Sequence, residues 1–223
     1  MAEILLVRHG QSANNAQEQH LRVPDPGLTD IGTQQAIALA AWLQHHPISH
    51  LYCSPFLRSL ETIRPLAVAT QLSVRVRGDL FELGGCYSGH EIGKQRGEPG
   101  LGRHQLAANY PKWEIDTAIG DHGWWGRDYE TFEQGALRAA SVSQWLATEL
   151  SGLGGLHVLI IHADFKRLLL EAMFHPQQLA ADGVDLVQAW LYNTGVTACT
   201  RTTAGWELSD FNSTSHLPTK LIT

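Results

Sequence analysis

Ile4-Leu5-Leu6-Val7-Arg8-His9-Gly10 is the stretch from which the rest of the chain is read. Four consecutive apolar residues run straight into a cation, an imidazole and a glycine. A short, continuous apolar run closed by a turn residue predicts a strand covered on both faces, the kind found in parallel sheets flanked by helices. Leu156 to Ile161 repeats the pattern more strongly and ends at His162, while His50 to Cys53 and Ser73 to Val76 are weaker versions. Between these runs the period changes from continuous to helical. Gly32, Ala36, Leu39 and Leu43 share one face of a helix that opens after Gly27-Leu28, with Thr29 or Asp30 as N-cap. Ser54-Pro55 is expected to start a second helix, with Pro55 in its first turn and Pro65 bending or ending it. Phe132, Ala136, Ala139, Val142, Leu146 and Leu150 mark a third helix, and a fourth is expected from about Phe165 to Phe174. Val196 to Thr202 and Trp206 to Phe211, joined by Ala204-Gly205, predict a late hairpin at a sheet edge. Strands alternating with helices mean an α/β domain with a largely parallel sheet.

The 223 residues suit one good-sized domain spanning 1–223. Positions 87–129 break the periodicity with repeated glycines and several aromatics, and a segment of that length is expected to form a lid or small subdomain over the site. With 16 basic and 22 acidic residues the formal charge is −6, which provides no broad field for nucleic acid or anionic lipid. No window of the chain reads as a membrane span or a signal peptide. Three scattered cysteines, Cys53, Cys86 and Cys199, without a CxxC pair, argue against a disulfide framework or a cysteine-based zinc site, and a reduced cytoplasmic setting is expected. Histidine is abundant, at 12, but no HExxH-type spacing appears, so neither a metal nor another cofactor is expected.

In open α/β sheets, ligands bind beyond the carboxyl ends of the strands. The residues following the predicted strands are Arg8 and His9; Ser54 and then Arg58; Glu82; and His162. Two guanidiniums favour a phosphate or carboxylate through bidentate hydrogen bonds. A neutral imidazole offers a lone pair as nucleophile, and a carboxyl can protonate a leaving alkoxide and later activate water. These parts fit phosphoryl transfer through a phosphohistidine without a metal.

Leu6-Val7-Arg8-His9-Gly10-Gln11-Ser12 with Asn15 resembles the signature of the histidine phosphatase (phosphoglycerate mutase-like) superfamily, in the branch with an Arg-His-Gly motif. The resemblance continues in Gly27 to Gly32, in Ser54 to Thr62, in Glu82 with Gly85 and Gly89, in Ile160-Ile161-His162 and in Asn193 to Thr197. It implies a three-layer α/β/α sandwich with a mainly parallel central sheet. It also implies that His9 is the phosphorylated nucleophile, that Arg8, Arg58 and His162 hold the phosphoryl group, that Glu82 is the proton donor, and that Asn15 contacts phosphate or substrate. The departure is at Ala163-Asp164: many relatives have glycine directly after the second histidine, and the acid-phosphatase branch has aspartate there as proton donor. Asp164 comes one residue late, and the expectation is that it caps the following helix.

The expected activity is hydrolysis of a small phosphorylated metabolite. The alternatives are mutase-type phosphoryl transfer, which calls for a dense basic lid that the insert lacks, and a non-catalytic phospho-ligand binder. In the insert, Lys94, Arg96, Arg103 and Arg127 are either solvated or directed at a distal acidic group of the substrate, while Trp113, Trp124 and Trp125 either pack the insert or stack on substrate. The sequence leaves the oligomeric state open.

Overall fold

The computed structural model describes residues 2–89, 91 and 93–223. Its strands are β1 (Ala2–Arg8), β2 (Ile48–Cys53), β3 (Val74–Val76), β4 (Tyr87–Ser88), β5 (Arg96–Gly97), β6 (Glu114–Ile115), β7 (Gly155–Ile161), β8 (Val196–Arg201) and β9 (Trp206–Ser213). Its helices are α1 (Ala13–Ala16), α2 (Asp30–Leu43), α3 (Leu57–Thr70), α4 (Arg103–Asn109), α5 (Phe132–Trp145), α6 (Ser151–Leu153), α7 (Ala163–Met173) and α8 (Pro176–Ala181). A π-helical turn over Leu146–Leu150 joins α5 to α6.

The main sheet has the order β6-β3-β2-β7-β1-β8-β9. The first five of these strands run parallel and the last two form the antiparallel hairpin edge. Side chains of a strand alternate between faces, and here both faces are apolar. Leu5, Val7, Leu51, Val158 and Ile160 lie in one core with α2 and α3, and Ile4, Leu6, Leu159 and Ile161 lie in the other with α5 and α7. The result is a three-layer α/β/α arrangement, and it explains why β1 and β7 read as continuous apolar runs.

Register brings the strand ends level. Arg8 pairs with Ile161, while Cys53 pairs with Ile160 on one side and Val76 on the other. The residues after each strand, His9, Ser54, Arg77 and His162, therefore emerge along one rim.

Two local expectations are corrected. α3 begins at Leu57, so Pro55 lies before the helix and not in its first turn. The cause is a cap supplied from elsewhere: Asp25 Oδ1 accepts from Leu57 N at 2.8 Å, because the N-cap residue Phe56 has no side-chain oxygen. α3 also continues through Pro65 to Thr70. Proline inside a helix costs roughly 3 kcal/mol, but Ile63, Leu66 and Ala67 around it are buried in the core, which holds the final turns in place.

The 87–129 segment contributes more than a surface loop. It contains β4, β5 and α4, and its β6 pairs with β3 as the edge of the main sheet. Leu106, Tyr110, Ile119 and Trp124 are buried in the same core as Leu51 and Val74. Among the described residues, no helix is long and apolar enough to cross a membrane.

Candidate active site

The rim carries a cleft of about 250 Å³ lined by Arg8, His9, Asn15, Arg58 and Glu82 among others. His162 lies behind it, fully buried, with its ring centroid 5.0 Å from that of His9. All six residues singled out in the sequence thus come together.

His9 is the best-defined of them. It is 3% exposed. Its Nδ1 lies 2.6 Å from Gly10 O, and Arg58 Nε donates to its Nε2 at 3.1 Å. A carbonyl can only accept, so the proton sits on Nδ1 and the Nε2 lone pair faces the cleft. Burial, then the charges of Arg58 and Arg8, hold the imidazole well below its ordinary pKa, so the ring is neutral. The backbone beneath it is clamped: Asn193 Nδ2 donates to His9 O at 3.0 Å, and Thr194 N donates to Arg8 O at 3.0 Å.

Close approach of backbone sets the turn after β1. A Cβ on Gly10 would lie 2.7 Å from Gly32 O, and one on Gly32 would lie 2.1 Å from Gln11 O. The first turn of α2 therefore rests directly on the loop that carries His9, and only glycine fits at either contact.

Two arginines and a second histidine lie about the His9 ring. Arg58, in the first turn of α3, is 8% exposed and its guanidinium stacks 3.8 Å from the Phe56 ring centroid. Arg8 donates through Nη1 to Leu191 O. Burial lowers the pKa of both guanidiniums, that of Arg8 to about 10. His162 Nε2 is 2.8 Å from Ser54 Oγ and 3.3 Å from Ser59 Oγ. Arg8 Nε and His162 Nδ1 are both buried without a hydrogen-bond partner. Buried polar groups in folded proteins are normally paired, and Arg8, one of these two, lines the cleft.

Glu82 closes the other side. Its Oε1 accepts from Phe165 N and Leu83 N, each at 2.9 Å, which fastens it to the N-terminal turn of α7. Burial, reinforced by the neighbouring Asp164, raises its pKa above the carboxylate norm, against the pull of those N–H groups and Arg58. Asn15, on α1, accepts through Oδ1 from Ser12 N at 3.1 Å.

Asp164 does not cap its helix. The N-cap is His162, and Asp164 sits inside the first turn, 2.7 Å from Arg167 Nη1. The basic residues of the insert stay out of the cleft lining. Lys94 pairs with Glu91 at 2.6 Å, Arg103 donates to the carbonyls of Ile115, Asp116 and Ile119, and Arg127 stacks 4.3 Å from the Trp125 ring centroid. The tryptophans pack: Trp113 stacks on Tyr110, and Trp124 and Trp125 abut Phe81.

The sequence reading missed Arg22, Tyr87 and Tyr129 in the cleft lining, and Ser54 and Ser59 as partners of His162. It also missed Lys166, fully buried on α7 with Nζ donating to Gly195 O at 3.0 Å and pKa pushed down by burial to about 7. Gly195 O also accepts from Arg8 N. The signal available was a polar residue among the buried positions of each helix: Ser59 in α3 and Lys166 in α7.

Comparison with known proteins identifies the family. The family model for the histidine phosphatase superfamily (branch 1) matches residues 4–214. Phosphoserine phosphatase 1 of Hydrogenobacter thermophilus is 32% identical over 90 residues, which are 40% of this chain and 43% of that protein. Phosphoglycerate mutase-like protein 4 of Arabidopsis thaliana is 39% identical over 83 residues, 36% of each. In both cases the match spans less than half the relative's length. A phosphoserine phosphatase of Entamoeba histolytica, solved with phosphoserine, superposes with a TM-score of 0.63 at 20% identity, covering 98% of this chain and all of that one. A mycobacterial glucosyl-3-phosphoglycerate phosphatase solved with VO3 gives 0.60 at 22% identity, covering 95% and 99%. At these identities the structures share the fold. With its ordered motifs and a family match over nearly its whole length, the chain belongs to the histidine phosphatase superfamily, branch 1.

Proposed function

We propose that this protein hydrolyses a small phosphomonoester through a phosphohistidine on His9, without a metal. The observation that carries the reading is the His9 tautomer: Nδ1–H is engaged by Gly10 O, which leaves the lone pair on Nε2, where Arg58 Nε donates to it, in a cleft lined by Arg8 and Arg58.

The substrate phosphoryl group sits between Arg8, Arg58 and His162, with Asn15 at its edge. The guanidiniums neutralise charge on the equatorial oxygens. Arg8 Nε and His162 Nδ1 gain the acceptors they lack, the latter as the N–H tautomer with Ser54 and Ser59 donating to Nε2. Arg58 Nε turns from His9 to a phosphoryl oxygen, which frees the Nε2 lone pair for in-line attack. The P–N bond forms, the P–O bond to the leaving group breaks, and protonated Glu82 delivers its proton to the departing oxygen. Water then enters. Glu82, now a carboxylate, takes one of its protons as the oxygen attacks phosphorus, the P–N bond breaks, and inorganic phosphate leaves with neutral His9 restored. Residues 87–129, whose ends Tyr87 and Tyr129 line the cleft, form the lid that limits entry of water and of bulky esters.

The test is turnover of an aryl phosphate and of 3-phosphoglycerate by wild type and His9→Ala. Wild type should release inorganic phosphate, and the variant should retain under about one part in a thousand of that rate. Conversion of 3-phosphoglycerate to 2-phosphoglycerate without free phosphate would assign a mutase instead.

A further inference from the structure

One buried basic group is left over by the mechanism. Lys166 lies on α7 and is fully buried. Among the described residues it has no ion pair, and its Nζ makes a single hydrogen bond, to Gly195 O at 3.0 Å. An ammonium carries three donors, and leaving two of them and the charge unpaired in the interior is costly. A neutral amine leaves less unpaired. Burial accordingly pushes the group down to about 7, with Cys199 and Asp210 opposing and Arg8 adding to the shift. Those three, on β8, β9 and β1, are the ionisable groups whose charge reaches it.

What the amine holds is a turn. Gly195 N donates to Tyr192 O at 2.9 Å and closes the chain over Tyr192–Gly195. Thr194, inside this turn, has a φ of 55°, a left-handed backbone that is rare for a β-branched residue. Such a conformation persists only where its surroundings over-determine it. Here Thr194 N donates to Arg8 O, Thr194 Oγ1 is 3.1 Å from His216 Nε2, and Asn193 N donates to Thr223 O at 2.9 Å. The same turn fixes the end of β1. Gly195 O accepts from Arg8 N at 3.3 Å, and Asn193 Nδ2 donates to His9 O. On the other side, the first turn of α7 grips Glu82 through Phe165 N, one residue before Lys166. Among the described residues, Lys166 Nζ supplies the hydrogen bond that joins α7 to this turn.

We infer that Lys166 is a positioning residue: its amine ties the Tyr192–Gly195 turn to α7, and through that turn sets where Arg8 and His9 stand relative to Glu82. Its effect on turnover rests on His9 being the nucleophile of phosphoryl transfer. Rate is steep in nucleophile geometry, since a displacement of about 1 Å costs on the order of 10²-fold.

The variants are Lys166→Met, which removes the donor, and Lys166→Gln, which keeps an uncharged N–H donor. Each is read by urea unfolding, by nitrogen NMR of the histidine rings, and by kcat and KM for an aryl phosphate. Lys166→Met should lower kcat by about 10- to 100-fold with KM changed by less than about threefold. Lys166→Gln should keep kcat within about fivefold of wild type. An amine whose pKa is lowered by folding makes wild type gain stability as pH rises from about 7 towards about 10. Lys166→Met should lack that gain and be at least as stable as wild type at pH 7. In the spectra, the His9 signals should move in Lys166→Met. In wild type they should also shift as pH passes about 7, and in both variants that inflection should vanish. His9 itself titrates far lower, and an inflection owed to Glu82 would persist in the variants. Unmoved His9 signals in Lys166→Met, an inflection that both variants keep, or a folded Lys166→Met with normal kcat overturns the proposal. If Lys166→Met does not fold, Lys166→Gln and the wild-type inflection still judge it. His9 signals that move as expected in a protein that releases no phosphate contradict the phosphatase reading alone.

Discussion

Two ionisable side chains face each other across the cleft, and the surroundings move them in opposite senses. His9 is held well below the ordinary imidazole value by burial and by two guanidiniums. Glu82 is raised by burial and by Asp164. The shifts favour an unprotonated imidazole and a carboxyl that holds its proton to higher pH than usual, the pairing that two-step phosphoryl transfer would use. The signs fix the pH dependence. Loss of the His9 lone pair should set in only well below pH 6.5, whereas loss of the Glu82 proton should lower turnover as pH rises through a value above the normal carboxylate range. Glu82→Gln should reduce kcat/KM for an alkyl phosphate by about 10²- to 10⁴-fold. It should reduce it far less for nitrophenyl phosphate, whose leaving group needs no proton, and the alkaline fall should disappear. Equal losses on both esters would remove Glu82 from the acid role.

At the scale of elements, the site depends on contacts that no local sequence pattern announces. β1, β7 and the face of α2 were legible because apolar runs and the 3.6-residue period are properties of neighbouring residues, and Thr29 does cap α2, accepting from Gly32 N at 3.1 Å. The start of α3 was not legible, because its cap comes from 32 residues upstream. The tie is reciprocal. Glu61 of α3 accepts from Leu28 N at 2.7 Å, so the loop holding Asp25 and the helix holding Arg58 fasten each other. Asp25→Ala should cost about 1 kcal/mol, as for loss of an N-cap, while Asp25→Asn, whose oxygen still accepts, should cost less. Urea unfolding of the two variants measures this, and an Asp25→Ala penalty no larger than that of Asp25→Asn would mean that the carboxylate does not cap α3. Arg22 escaped the sequence reading for the same reason: no periodicity in residues 17–23 shows that Asn14 and Gln17 tie Val23 and Leu21 to α1, which leaves Arg22 in the cleft lining.

For the whole molecule, the layered fold and the rim that gathers the candidate site followed from strand order, since the crevice rule needs only the residues after each parallel strand. The internal architecture of 87–129 did not follow. That segment uses glycine turns and aromatic packing without a period, yet it supplies an edge strand of the main sheet and four core residues. The cleft also reverses the sign of the molecule: a chain of net charge −6 gathers Arg8, Arg58 and Arg22 in one small space. On the proposed mechanism, that concentration of positive charge serves a covalent phosphoryl group on His9. The direct measurement is to mix enzyme with an excess of a phosphomonoester, quench in alkali within milliseconds, and map phosphate by mass spectrometry of the digested chain. The account predicts an acid-labile phosphate on the His9 peptide of wild type, formed as fast as turnover and missing from His9→Ala. Turnover with no phosphate on His9 at any time, or with phosphate on another residue, would contradict it.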